Sequence, residues 1–163
     1  MRFLKLAVIS LVIFTGLLVL ISFLIPSSVR VTRAISIRGD SSLLKKELNN
    51  LAAWPRWNEM IQSPNLTHVK ISAGHFYSDE LQINVTDTAA MKTAWIQKGR
   101  QGVEAAFHFI PSSGNEVILK WQFVFHLRWY PWEKFGSIVI ERQVGGTMER
   151  SLNNFKKSLE DSM

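Results

Sequence analysis

The side chains that could carry acid–base or metal chemistry are dispersed along this 163-residue chain. A zinc site needs three or four converging ligands, and no two of the four histidines have a ligand spacing. His108 and His126 fall on neighbouring predicted strands, where they could face each other on the solvent side. We expect all four to be surface or hydrogen-bonded residues. They are His68, His75, His108 and His126.

Nucleophilic and phosphate-binding chemistry has no signature in the sequence. There is no Gly-x-Ser-x-Gly elbow and no P-loop, and the absence of cysteine excludes disulfides and thiolate sites. The paired carboxylates Asp79-Glu80 and Glu160-Asp161 fall in a predicted turn and at a predicted helix end, where we expect solvated charges. The sequence therefore predicts no catalytic residue, no metal site and no cofactor.

An uncharged segment of twenty residues, Leu6 to Ile25, precedes all of these groups. As a helix it covers about 30 Å, the thickness of a bilayer's hydrocarbon core. The alternative is a cleaved signal peptide, whose apolar region is usually shorter, about 7–15 residues. Because residues 25–28 offer no small-x-small cleavage site, we expect residues 1–25 to form an uncleaved single-pass anchor and residues 26–28 a short linker.

The charge balance suits a protein beside a membrane. The chain carries 19 Lys and Arg against 13 Asp and Glu; without Arg2 and Lys5 the balance is 17 against 13, or +4. The basic residues are scattered, so we expect the membrane as a partner and no nucleic acid. Basic residues flank both ends of the apolar segment, but a short N-terminal tail is easily retained inside. We therefore expect the domain on the extracytoplasmic side.

The remaining sequence predicts an antiparallel sheet framed by helices. A strand at 29–38 is followed by a helix with leucines at 44, 48 and 51, and by a short helix opening at Pro55. Further strands are predicted at 66–71, 81–86, 91–97, 103–109 and 117–127, with a hairpin turn at 111–115. Two closing helices are predicted at 133–142 and 147–161, separated by Gly145-Gly146. The segment 133–142 could instead extend a strand.

This order of elements resembles the START-like (SRPBCC) superfamily, in its polyketide cyclase/dehydrase and lipid-transport branch. The resemblance covers residues 29–161 and includes Trp54-Pro55-x-Trp57, Val117-x-Leu119-x-Trp121 and the pattern of the closing helix. It implies an α+β helix-grip fold over residues 29–163 and an apolar pocket, without a universal catalytic residue. Anchored members of this kind imply a bacterial plasma membrane. Only Gly74 and Trp95 match the branch's glycine-rich strand and Trp-containing hairpin, so the resemblance leaves the size of the pocket open.

Candidate ligand-binding residues follow from the inner face of such a sheet. Arg33 shares a face with Val31 and Ile35, where it could bind a carboxylate or polar head, or turn to the rim instead. Inward aromatic residues could line a pocket or simply pack as core. The aromatic candidates are Phe107, Phe109, Trp121, Phe123, Phe125 and Phe155. We expect a binding module for a lipid, quinone or polyketide-like ligand; the alternatives are a cyclase or hydrolase acting on such a ligand, and a protein-interaction domain with a filled core.

A second aromatic group lies between the last strand and the closing helices. The segment 129–135 contains Trp129, Tyr130, Trp132 and Phe135 together with Lys134. Tryptophan, tyrosine and lysine are favoured where hydrocarbon meets water. One interpretation is a lip at the pocket mouth that contacts the membrane. The other is a hydrophobic loop folded onto its own core.

Overall fold

The computed structural model describes residues 2–39, 41–112 and 116–161. Its three α-helices are α1 (Arg2–Leu24), α2 (Ser41–Asn49) and α3 (Pro131–Glu160). Two short 3₁₀ helices, Leu51–Arg56 and Glu59–Ile61, follow α2. The strands are β1 (Ser28–Arg38), β2 (Lys70–Ile71), β3 (His75–Tyr77), β4 (Leu81–Asp87), β5 (Lys92–Gln97), β6 (Val103–Pro111) and β7 (Glu116–His126).

The seven strands form one antiparallel sheet in the order β1-β7-β6-β5-β4-β3-β2. All neighbours are consecutive except β1 and β7, which pair from Ser28↔His126 to Arg38↔Glu116. The first residue of β1 and the last residue of β7 lie at the same end of the sheet. Just beyond them, the Leu127 amide donates to the Ser27 carbonyl (2.8 Å). We call this the α1 end, because α1 finishes beside it. This α+β arrangement, with α3 packed on a curved sheet, is the predicted helix-grip fold.

The alternation of apolar residues on β1 and β7 correctly predicts which face of the sheet is buried. On β7, Leu119, Trp121 and Phe123 are buried, and on β1, Val31 and Ile37 are buried. They pack with Met148, Leu152 and Phe155 of α3, so the apolar stripe predicted for the closing helix does face the sheet. The core therefore lies between the inner face of the sheet and the C-terminal half of α3.

The predicted break at Gly145-Gly146 is wrong, because α3 is continuous through both glycines. Each glycine costs about 1 kcal/mol relative to alanine in a helix, but packing on the sheet outweighs such a propensity. Gly145 is buried, and a Cβ there would overlap the Arg33 guanidinium. The helix reading of 133–142 is confirmed, and most of the segment 129–135 is the first turn and a half of α3 rather than a loop.

Three local predictions also differ from the structure. The strand expected at 66–71 is reduced to the edge strand Lys70–Ile71, and β3, which lies between β2 and β4, was not predicted. Both strands are two or three residues long and bury few side chains, so alternation is too short to mark them. The helix expected to open at Pro55 begins at Leu51, where the Asn50 side chain accepts from the Ala52 amide. Of the predicted turn at 111–115, residues 113–115 lie outside the described residues.

Helix α1 differs from the rest of the molecule in burying almost nothing. Its stretch Phe3–Leu24 has a mean hydropathy of 2.8, with 6% of the most apolar window buried. It is long and apolar enough to cross a membrane by length and composition.

Candidate functional site

Part of the space between sheet and helix is filled by an aromatic cluster. Its members are Trp54, Trp57, Trp95, Phe107, Trp121, Phe123 and Phe155. Phe107 and Trp121 stack with ring centroids 5.1 Å apart, and the Trp57 ring lies 5.0 Å from that of Phe155. The Trp54 indole N–H donates to the Leu48 carbonyl at 2.9 Å. Edge-to-face and offset contacts of this kind add to the apolar burial, so the cluster is a packed core.

Beside the aromatic cluster the same space is open. Two adjoining hollows of about 390 Å³ each share the lining residues Gln97, Val103, Phe125, Gln143 and Val144. We call the two hollows together the cleft. One hollow extends inward to Met60, Leu81, Trp95, Phe123 and Thr147. The other opens at the α1 end, between the 99–102 hairpin, residues 126–128 and the first turns of α3. Each is within the size range of small-molecule sites.

Side-chain size explains why the cleft is open. The part of α3 that lines it presents Gly136, Ile140 and Val144 to the sheet. The following turns present Met148, Leu152 and Phe155, which reach the inner face and fill the space. The helix therefore presents a glycine and two β-branched side chains over the cleft, and longer side chains in the following turns.

The mouth of the cleft carries a polar rim. The Glu133 carboxylate accepts from the Arg128 amide (2.8 Å) and lies 3.9 Å from the Arg128 guanidinium. With its amide oriented to satisfy both partners, Gln101 donates to the His126 carbonyl (2.6 Å) and accepts from Arg128 Nε (3.0 Å). The floor, in contrast, is apolar, with Val103, Phe125 and Ile140 among its residues. The arrangement suits an apolar molecule with one polar end.

Solved structures with the same architecture have little sequence in common with this chain. A START superfamily protein from Mycobacterium smegmatis matches with a TM-score of 0.57 at 12% identity, over 82% of this chain and 99% of its own. The domain has the START-like fold. No family model and no curated protein matches the sequence.

Two further START-like neighbours are named for biosynthetic functions. The di-domain ARO/CYC protein BexL matches with a TM-score of 0.56 at 14% identity, over 81% of this chain and 46% of BexL. Truncated norcoclaurine synthase from Thalictrum flavum matches with a TM-score of 0.51 at 12% identity, over 81% of this chain and 93% of its own. At these identities the likeness concerns the fold alone.

The predicted aromatic candidates fall in different parts of the START-like domain. Phe125 lines the cleft, and Phe123, a buried member of the aromatic cluster, also borders it. Phe107, Trp121 and Phe155 are buried in the aromatic cluster. Phe109 lies towards the other end of the sheet, opposite Leu119, with the Lys45 ammonium 5.7 Å from its ring centroid.

Arg33 packs against α3. Its Nη1 donates to the Thr32 carbonyl (2.8 Å) and lies 3.8 Å from the Glu141 carboxylate. At 100° per residue, Glu141 and Gly145 occupy a different face of α3 from Ile140, Gln143 and Val144, which line the cleft. The guanidinium lies on that other face, over Gly145.

A buried lysine joins the START-like domain to α1. Lys134, 4% exposed, donates from Nζ to the carbonyls of Ser22 (3.0 Å) and Ile25 (2.9 Å). These oxygens lie at the C-terminal end of α1, where helical carbonyls lack partners and the helix dipole favours a cation. The Ser22 hydroxyl in turn donates to the Trp129 carbonyl at 3.4 Å. The end of α1 is thus held against the start of α3, next to the cleft mouth.

The aromatic residues of segment 129–135 surround this junction. Trp129 is 64% exposed and Trp132 is 69% exposed, and the Tyr130 ring stacks on Trp132 with centroids 4.8 Å apart. Phe135 is partly buried. The two tryptophans are therefore not folded onto the core, and their exposed rings lie beside the end of the apolar helix.

The histidines lie outside the cleft except for His126, which is an exposed residue at its rim. His108 is opposite Lys120 and His126 is opposite Ser28, so the two histidines do not face each other. His68 Nδ1 lies 2.8 Å from the Asp79 carboxylate, whose hydrogen bond and charge raise the pKa of His68. Among the described residues, no group of three or more His, Cys, Asp or Glu could hold a metal ion.

Sequence reasoning missed most of the cleft lining. Val103, Gln143 and Val144 belong to no sequence motif. They line the cleft only because the neighbouring elements do not fill the space beside them. The small residues of α3, above all Gly136, were the available signal. Lys134 was grouped with the interfacial aromatics, although its burial under α1 depends on tertiary contacts that no local pattern encodes.

Proposed function

We propose that this chain is a membrane-anchored binding module for an apolar small molecule such as a lipid, a quinone or a polyketide-like compound. The observation that carries the proposal is the position of the cleft mouth beside the end of α1. A ligand dissolved in a bilayer could enter such a cleft without crossing water. In this proposal residues 1–25 are the anchor, 26–28 the linker and 29–163 the binding domain.

The junction with α1 supports the membrane role. If α1 spans the bilayer, its end at Leu24 lies at the interface, and the contacts of Lys134 hold the domain there. The exposed rings of Trp129 and Trp132 would then enter the headgroup region, with Tyr130 and Phe135 behind them. Such rings are favoured at that depth. The proposal keeps the domain on the extracytoplasmic side of a bacterial plasma membrane, because the short N-terminal tail is easily retained inside although basic residues flank both ends of the apolar segment.

Phe123 and Phe125 are the aromatic candidates proposed to touch the ligand directly. The aromatic cluster, which includes Phe107, Trp121 and Phe155, would form the closed wall behind them. Arg33 and Phe109 would act through α3 and the sheet rather than by contact. This assignment follows the cleft lining and the packing described above.

Binding is preferred to a cyclase or hydrolase reaction because the carboxylates of the cleft are already engaged. Glu133 is held by Arg128, and Glu59 accepts from Arg150 Nε at 2.7 Å. A general base needs a carboxylate or imidazole free to take a proton from the substrate, and His126, the imidazole at the cleft, is an exposed side chain at the rim. The names of BexL and norcoclaurine synthase make the enzyme hypothesis the second candidate for this fold.

The test is native mass spectrometry of the full chain, purified from membranes in a mild uncharged detergent. We expect a bound apolar molecule of defined mass in the wild type. Val144→Phe should displace it, because the larger ring fills the centre of the cleft. Val139→Phe, the same change at an exposed position of the same helix, is the matched control and should retain it. Equal retention in both variants would refute the cleft as the binding site.

A further inference from the structure

The 98–102 hairpin carries two cations, Lys98 and Arg100, beside the apolar cleft. This hairpin joins β5 to β6, and its turn closes through the Arg100 amide and the Gln97 carbonyl (3.0 Å), with Gly99 at φ 75°. None of the ion pairs within the described part of the chain includes Lys98 or Arg100. Arg100 itself lines the cleft.

The other charges of the cleft are neutralised locally. Arg128 is matched by Glu133, and Glu59 at the inner hollow is matched by Arg150. His126 is the remaining titratable side chain of the rim and is exposed. The surplus positive charge at the mouth is therefore that of Arg100, with Lys98 two residues before it in the chain. Two cations that pair with no carboxylate among the described residues are available for a ligand.

Their place relative to α1 decides which kind of anion could reach them. The Gln101 side chain donates to the His126 carbonyl, and the neighbouring Leu127 amide donates to the Ser27 carbonyl. Ser27 is only three residues beyond Leu24, where α1 finishes. The hairpin thus lies at the α1 end of the sheet, over the cleft mouth. An anion held there would have its attached chain directed to the apolar floor formed by Val103, Phe125 and Ile140.

We infer that the ligand is an amphiphile with an anionic head, a carboxylate or a phosphate ester, on an apolar chain. Arg100 binds the head at the mouth while the chain occupies the cleft. A guanidinium suits both heads, because its planar donors match two oxygens at once. This inference rests on the proposed function and narrows its ligand class.

The test compares two ligands that share a chain and differ in charge. The full-length protein in uncharged detergent is incubated with equal amounts of stearate and methyl stearate, and native mass spectrometry gives the ratio of the two bound forms. We expect the wild type to prefer stearate. Arg100→Gln should reduce that preference about fivefold, the scale of one partly solvated ion pair.

Arg30→Gln is the matched control. Arg30 is an exposed cation near the same end of the sheet, on the outer face of β1 beside buried Val31, and it should leave the ratio unchanged. Equal binding of both ligands by the wild type, or an unchanged ratio in Arg100→Gln, would overturn the inference that Arg100 binds an anionic head. The proposal that the cleft binds an apolar molecule would not be affected. Failure of both ligands to bind overturns the long-chain amphiphile, whereas the proposed function itself is tested separately by the molecule that copurifies with the wild type.

Discussion

The aromatic cluster and the cleft occupy adjacent parts of one sheet–helix interface, yet one is full and the other is open. The difference lies in the side chains that α3 presents to the sheet: Met148, Leu152 and Phe155 in the first case, Gly136, Ile140 and Val144 in the second. Trp54 in the first 3₁₀ helix and Trp57 directly after it add bulk to the filled part. A START-like fold thus fixes where a cavity can lie, and local side-chain volume decides how much of it remains.

The largest expected effect comes from opening the filled part. Phe155→Ala should lower the free energy of unfolding by about 3–5 kcal/mol, because it leaves an aromatic-sized cavity in a packed core. Phe125→Ala should cost clearly less, since Phe125 is only partly buried and already borders the cleft. Urea unfolding of the full chain in uncharged detergent, followed by circular dichroism, measures both.

Lys156→Ala, next to Phe155 in the chain, is the control and should be close to neutral. If Phe125→Ala proves as costly as Phe155→Ala, the contrast between a filled and an open region is lost. If Phe155→Ala is as mild as the control, the packing of α3 on the sheet is not what holds the domain together.

The next effect concerns the junction that places the cleft beside α1. Lys134→Met keeps the aliphatic length but removes the ammonium that satisfies the Ser22 and Ile25 carbonyls. Leaving buried polar groups without partners should cost roughly 1–3 kcal/mol. We expect faster proteolysis at residues 25–28 as α1 separates from the domain. Lys157→Met, an exposed change on the same helix, should leave the proteolysis rate unaltered, and equal rates in the two variants would argue against the junction.

A smaller effect separates the two adjacent glycines of α3. A Cβ at Gly146 would make only an ordinary contact, 3.6 Å from Arg150 Nη1, so Gly146→Ala should stabilise the helix. The expected gain is about 0.5–1 kcal/mol from helix propensity. Gly145→Ala should gain less or nothing, because the added methyl must displace the Arg33 guanidinium. Thermal unfolding of the two variants measures both stability changes. A larger gain in stability from Gly145→Ala than from Gly146→Ala would show that Arg33 does not pack over Gly145.

The smallest effect is at an exposed contact near the edge of the open region. Because the Asp79 carboxylate raises the pKa of His68 above its ordinary 6.5, the pair stabilises the fold fully below pH 6.5. That contribution is lost as pH rises through the raised pKa. Asp79→Asn should return the pKa of His68 towards 6.5, as followed by NMR titration of its ring protons. An unchanged midpoint would mean that the two side chains do not interact in solution.

The sequence predicted the fold better than the candidate site, for a physical reason. Alternation on β1 and β7 and the four-three-four spacing from Met148 to Leu159 are local patterns, and each reports which face is buried. A cavity is a non-local property, set by the difference between the space that elements enclose and the side chains that enter it. Phe123 and Phe155 look equivalent in the sequence, but Phe123 borders the cleft, whereas Phe155 packs against the Trp57 ring in the filled part. The continuity of α3 was missed for the same reason, since the packing that retains Gly145 comes from β1.

The attachment of Lys134 to α1 has a consequence for how a ligand would be found. With only Pro26 and Ser27 between the hydrogen-bonded end of α1 and β1, and with the lysine holding both carbonyls, the domain has little freedom to swing. If α1 spans the bilayer, the cleft stays at a fixed height over one leaflet. Encounter then becomes a two-dimensional search, in which the protein and its ligand meet by lateral diffusion within the same lipid layer. The rate would depend on the ligand's surface density in that leaflet and hardly at all on its concentration in water.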